Sequence, residues 1–153
     1  MILQLGPLRV DTLGMVDFPT AGSMNDDPRK LTALISRVAD LAENHHVGSV
    51  MVGLVAEDGD PTFPEFADFL QAALRVEDGI FRMTRERVLL HLADLDAPRA
   101  RVVFGRILDD FHDEFPAMNE PQFQVHYFVV EPGTKELRSK DVLTEIFPPR
   151  LLH

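Results

Sequence analysis

The 153-residue chain holds 15 basic and 25 acidic residues, for a net charge of −10, and 45% of it is hydrophobic. That supplies one core and is short for two, so a single domain is expected over 1–153: an N-terminal extension and entry loop (1–26), a core (27–147) and a tail (148–153). The charge argues against a nucleic-acid polymer as partner, and the lack of cysteine excludes a disulfide framework or thiolate metal site, which makes the cytoplasm the expected location.

The opening "MILQLGPLRVDTLGMVDF" has no basic leader region, and no apolar run approaches the roughly 18 residues of a membrane span, so neither secretion nor membrane insertion is expected. "TAGSMNDDP" reads as a polar loop ending in a helix start, with Asp27 as cap and Pro28 in the first position. Leu31, Leu34, Ile35, Val38, Leu41 and Ala42 then recur at helical spacing up to about Glu43. "VGSVMVGLVA" is apolar almost throughout, as a central strand covered on both faces would be.

After the turn "EDGDP", Thr62 and Glu65 fit a capping box, and Phe63, Phe66, Ala67, Leu70, Ala73 and Leu74 form the buried stripe of a second helix. Gly79 to Met83 and Val88 to Ala93 read as an antiparallel hairpin whose turn lacks glycine, asparagine and proline. Asp96 and Pro98 start a third helix, with Val102, Val103, Leu108 and Phe111 inward, and "DDFHDEF" and Pro116 close it. "QFQVHYFVVEPG" is a further strand, and "SKDVLTEIF" allows a short last helix. The order β-α-β-β-α-β, preceded by a helix, predicts a ferredoxin-like α+β fold: a central, mostly antiparallel sheet flanked by helices.

"LRVEDGIFRMTRERVLLHLADLD" carries Arg75, Asp78 three residues later and Arg82 seven residues later. This segment resembles the signature of the GGDEF domain, the diguanylate cyclase family, whose form is RxxDxxxRxGGDEFxxLL. Gly59-Asp60 falls where that family has a Gly-Asp before its second helix, and "DTLG" at 11–14 echoes the family's DxLT entry. The resemblance runs from about Asp11 to Phe147.

The departures bear on chemistry. Thr84, Arg85, Glu86, Arg87 and Val88 occupy the five signature positions, so both glycines are lost and Arg87 stands where the family has an acidic residue. The family's metal-binding aspartates at the end of the first central strand are absent, with only Glu57 and Asp58 nearby. The resemblance therefore implies a degenerate member without cyclase activity, with no catalytic residue, no metal ligand and no cofactor. What it retains is RxxD, which in the family binds cyclic di-GMP.

Arginine suits the N7 and O6 acceptors of guanine, and a carboxylate suits its N–H donors, so Arg75 and Asp78 are the candidate ligand residues, with Arg82 as a further candidate that also reads as a strand-face residue. The bland account of the same pair is a cation at a helix end and a carboxylate starting a turn. Two functions stand accordingly: a cyclic di-GMP receptor or signalling module acting on a protein partner or as a homodimer, or a nucleotide-independent interaction or dimerisation module. Elsewhere, His45-His46 reads as a solvated turn, His91 as a packed or hydrogen-bonded histidine, and Asp109, Asp110, Asp113 and Glu114 as an acidic helix end.

Overall fold

The computed structural model describes residues 26–148. The "DTLG" stretch and most of the entry loop lie outside the described residues. Helix α1 (Pro28–His45) is followed by strand β1 (Ser49–Ala56), helix α2 (Phe63–Ala73), the hairpin β2 (Gly79–Thr84) and β3 (Arg87–Ala93), helix α3 (Ala97–Glu114), strand β4 (Phe123–Val130) and helix α4 (Ser139–Ile146).

The four strands form one sheet in the order β2-β3-β1-β4, and every pairing is antiparallel. This is the ferredoxin-like α+β architecture. Alternation along β1 separates two cores. Val50, Val52 and Leu54 face α2 and α3, whose Phe63, Phe66, Leu70, Phe104 and Phe111 close over them, while Met51 faces α1 and α4 with Leu34, Val38, Val142 and Ile146. Covered on both sides, β1 needs apolar residues at nearly every position.

The helix starts show which local signals prevail. Asp27 accepts from Arg29 N, and Asp96 from Arg99 N, so both carboxylates cap as expected. At α2 the expected capping box is not made: Thr62 is itself helical and its side chain makes no capping bond. Asp60 does that work, taking Thr62 N on Oδ1 and Gln122 N on Oδ2, which also ties the loop to the segment before β4.

Two inward assignments need correction. Val102 is 61% exposed, because the buried stripe of α3 runs through Ala100, Phe104, Ile107 and Phe111. Ala73, the last residue of α2, is exposed, because the buried stripe of that helix runs through Phe63, Phe66, Ala67 and Leu70.

The hairpin closes without glycine because its ladder gives way instead. Arg82 pairs with Val88 and Thr84 with Arg87, leaving Met83 as an extra residue, a bulge that re-aims the strand into the turn. Thr84 Oγ1 accepts from Glu86 N at 3.2 Å, and neither Arg85 nor Glu86 takes a left-handed conformation.

Candidate functional site

The Arg75 and Asp78 pair sits where the chain leaves α2 and enters β2. Arg75 Nε donates to Asp78 Oδ2 at 2.9 Å and Nη2 to Oδ1 at 2.8 Å, a two-pronged ion pair. Arg75 N also donates to Oδ2, and Ala93 N to Oδ1 at 3.0 Å. Arg75 Nη2 returns to the Ala93 carbonyl at 2.7 Å. Together the two side chains satisfy the N–H and C=O of the last residue of β3, in the place where β2 would pair with it if it began earlier.

The two partners differ sharply in exposure. The Asp78 side chain is 1% exposed and the Arg75 side chain 41%. Asp78 spends both oxygens on the chain. Arg75 keeps one edge outward, where Nη1 lies 3.4 Å from the half-exposed Glu77 carboxylate. The hydrogen bond to Asp78 raises the pKa of Arg75 above the ordinary arginine value, more than burial lowers it. The site is thus a fixed cation, held flat by a buried carboxylate.

Arg82 belongs to a different arrangement. Its side chain is 11% exposed and Nη1 lies 2.6 Å from Asp68 Oδ1, with Gln71 Oε1 at 3.4 Å and the Pro64 carbonyl near. It fastens β2 under α2. Its backbone faces the open edge of the sheet, where Arg82 N donates to Asp26 Oδ2 and Asp26 N to the Arg82 carbonyl, both at 2.8 Å.

At the hairpin end of the sheet, Ala56, Glu57, Asp58, Thr84, Glu86 and Arg87 line a polar cavity of about 370 Å³. Glu86 holds this end together: its carbonyl accepts from Ala56 N at 2.8 Å, and its carboxylate from Gly59 N at 3.4 Å. A loop N–H that would suit a phosphate oxygen is turned to the chain's own carboxylate. Among the described residues, no group of three or more histidines and carboxylates is arranged to hold a metal ion.

The three histidines singled out from the sequence take structural positions. His91 is 1% exposed with Nε2 2.9 Å from Ser49 Oγ, and burial lowers its pKa to about 4, so the ring is neutral near pH 7. His46 adopts the left-handed conformation that ends α1, while the Val47 N–H closes on the Leu41 carbonyl. His45 lies 3.5 Å from Asp40.

No protein-family model matches the sequence, and no curated protein sequence matches it. Solved structures do match its fold. PelD 158-CT from Pseudomonas aeruginosa PAO1 aligns with 84% of this chain at a TM-score of 0.62 and 15% identity. The GGDEF domain of FimX from Pseudomonas aeruginosa aligns with 80% of it at a TM-score of 0.59 and 10% identity. The chain has a GGDEF-like fold. It spans 47% of the PelD chain and 88% of the FimX domain.

Within this GGDEF-like frame, Arg75 and Asp78 are brought together, while Arg82 is directed to α2. Sequence reasoning missed Ala93, whose backbone anchors the pair, and Glu77, which flanks its open edge. No side-chain pattern marks a backbone partner 15 residues away. Among the described residues, no helix is long and apolar enough to cross a membrane.

Proposed function

We propose that this GGDEF-like chain is a catalytically inactive receptor for cyclic di-GMP, acting in the cytoplasm on a protein partner or as a homodimer, with Arg75 as the residue that meets the ligand. The observation that carries the reading is the pre-set guanidinium: Asp78 holds it by two bonds, while the Arg75 side chain stays 41% exposed with Glu77 3.4 Å from Nη1 as the other charged neighbour. A guanine edge or a phosphodiester oxygen takes the place of the half-exposed Glu77 at Nη1, and a purine stacks on the exposed part of the guanidinium. In this reading Asp78 is a positioning residue, because its oxygens already accept four bonds from the chain.

Inactivity as a cyclase rests on the other end of the sheet. The turn carries side chains where the family has glycine, and the Glu86 carboxylate takes the Gly59 N–H. A triphosphate entering there meets the carboxylates of Glu57, Asp58 and Glu86 with no set of ligands for magnesium.

A second reading is favoured by one observation: every bond of the Arg75 and Asp78 pair is also what a purely structural clamp on Ala93 would make. The chain would then be a docking or dimerisation module that binds no nucleotide. Calorimetry with cyclic di-GMP separates the two. The receptor reading expects wild type to bind and Arg75→Ala and Arg75→Lys to lose binding, with circular dichroism checking that both variants fold. Lysine keeps the charge but not the flat fork. Unchanged affinity in a folded Arg75 variant, or no binding by wild type, leaves the interaction module.

A further inference from the structure

The two edges of the sheet differ. On β2, Asp26 N donates to the Arg82 carbonyl and Asp26 Oδ2 accepts the Arg82 N–H, both at 2.8 Å, and a bulge at Met83 bends the strand. β4 has no such guard. Its eight residues, FQVHYFVV, include no charge, proline or glycine in a chain that is 26% charged. All eight pair with β1 without a shift of register, and among the described residues no strand pairs with the outer side of β4. The N–H and C=O groups of alternate residues therefore point away from the sheet at the regular spacing of a ladder, the arrangement that an added strand completes.

The side chains beside this edge select what fits it. On the α2 and α3 face, the guanidinium of Arg101 lies over the Tyr127 ring, 5.0 Å from its centroid, and Val129 is 42% exposed. Arg101 is exposed and meets no carboxylate within ion-pair distance among the described residues, although acidic residues outnumber basic ones 25 to 15. On the other face, Phe128 is only partly covered by the core around Met51. A carboxylate beside Tyr127 and an apolar side chain beside Phe128 complete the two faces. A second copy of this chain does not supply the carboxylate: Tyr127 sits in the middle of β4, so two such strands paired about a two-fold axis bring Arg101 towards its own equivalent.

We propose that the outer edge of β4 is the docking site of a partner protein, which adds one antiparallel strand there, with an acidic residue beside Arg101 and apolar residues along the Phe128 face. Main-chain bonds along the edge supply the affinity, and the two faces supply the choice of sequence. The site is separated by β1 from β3, where Arg75 is anchored on Ala93, and it needs no nucleotide. It serves the protein partner of the receptor and of the interaction module alike, so its failure leaves the Arg75 reading untouched.

The probe is the capped peptide Ile-Thr-Val-Glu-Val-Thr-Ile, titrated by calorimetry into the whole chain without cyclic di-GMP. Two further peptides carry N-methyl groups on alternate amides, one in each phase. Strand addition expects one phase to abolish binding and the other to keep it, because only every second amide of the added strand faces β4. Arg101→Glu is expected to weaken binding by about tenfold, and Arg37→Glu by less than about twofold. Arg37 is exposed on α1, which packs on β2 and β3, so it makes the same charge change away from β4. A peptide with lysine in place of glutamate should bind Arg101→Glu better than wild type, which also shows that the variant is folded. No binding by wild type, equal loss in both methylated phases, or equal affinity of the two variants overturns the proposal. So does sedimentation showing a dimer that must dissociate before the peptide binds, since a second copy then holds the edge.

Discussion

Ile146 of α4 packs directly onto Gly53 of β1, so closely that a Cβ on the glycine would collide with Ile146 Cγ2 and press on the Phe147 ring. The last helix is short, and this contact is how it seats on the sheet. Gly53→Ala is therefore expected to lift α4 and lower stability by about 1–3 kcal/mol, the cost of overpacking a filled core. Gly105 in α3 is the opposite case, since a Cβ there meets nothing within 4 Å. Gly105→Ala should gain about 0.5–1 kcal/mol from helix propensity. Urea unfolding of the two variants reads both signs, and a neutral Gly53→Ala would show that α4 is not held there.

Stability should also depend on His91. Its folded pKa of about 4 lies below the 6.5 of the free side chain, chiefly through burial. Near pH 7 the ring is neutral in both states and nothing is lost. As pH falls below 6.5 the unfolded chain takes up the proton and the folded chain does not, so stability declines down to about pH 4, by about 3 kcal/mol in total. His91→Leu should remove this part of the pH dependence although it leaves the Ser49 hydroxyl unpartnered. Urea midpoints for both proteins between pH 7 and pH 4.5 check it, and parallel curves would refute the assignment.

The Arg82 pair offers a smaller and more local effect. Its side chain is largely buried, whereas that of Asp68 is 62% exposed, so the pair gains little from Coulomb attraction and more from fixing a long side chain against α2. A double-mutant cycle with Arg82→Ala and Asp68→Ala should give a coupling of about 1 kcal/mol or less. Arg82→Ala alone should cost more than that, because the Pro64 carbonyl and Gln71 lose their partner and the stem loses its packing.

The order of elements was legible because each carries its period and its caps locally: the helical stripe from Leu34 to Ala42, Asp27 and Asp96 as caps, and the two strands around the charged turn. The register of α3 was not, since Val102 and Val103 are both apolar and only the packing of Phe104 and Phe111 against Phe66 decides which of them turns outward. The register of Arg75 with Asp78 could be read from spacing. That Asp78 is buried could not, because its burial depends on Ala93, and Arg82 likewise finds Asp68 across a separation of 14 residues. Such partners are fixed by the sheet, and local spacing holds no trace of them.

Restoring the family signature should not restore chemistry. With Thr84 to Val88 rewritten as Gly-Gly-Asp-Glu-Phe, the turn regains its glycines and the Glu86 carboxylate no longer occupies the Gly59 N–H, yet the upstream loop still offers only the exposed Glu57 and Asp58. Val88 is also buried, so phenylalanine there strains the core. Incubation with GTP and magnesium or manganese should yield no cyclic di-GMP. Product from the rewritten chain would mean that Glu57 and Asp58 suffice for the metal.

The sharpest separation of roles lies within the Arg75 and Asp78 pair itself. Removing Asp78 deletes the acceptor of four bonds and leaves Ala93 N and the Arg75 guanidinium to find other partners, so Asp78→Ala should destabilise the fold by about 2–4 kcal/mol as well as weaken binding. Asp78→Asn keeps one acceptor oxygen and the shape but cannot grip both Nε and Nη2; it should retain more of the stability and still lose affinity, because the guanidinium is no longer held flat. Arg75→Ala should cost less stability than Asp78→Ala, since Arg75 N and Ala93 N remain to solvate the carboxylate. A receptor therefore shows affinity lost in all three variants, with stability lost most in Asp78→Ala. If affinity instead follows stability across the three, and recovers at lower temperature where each is folded, the pair is a clamp on Ala93 and nothing more.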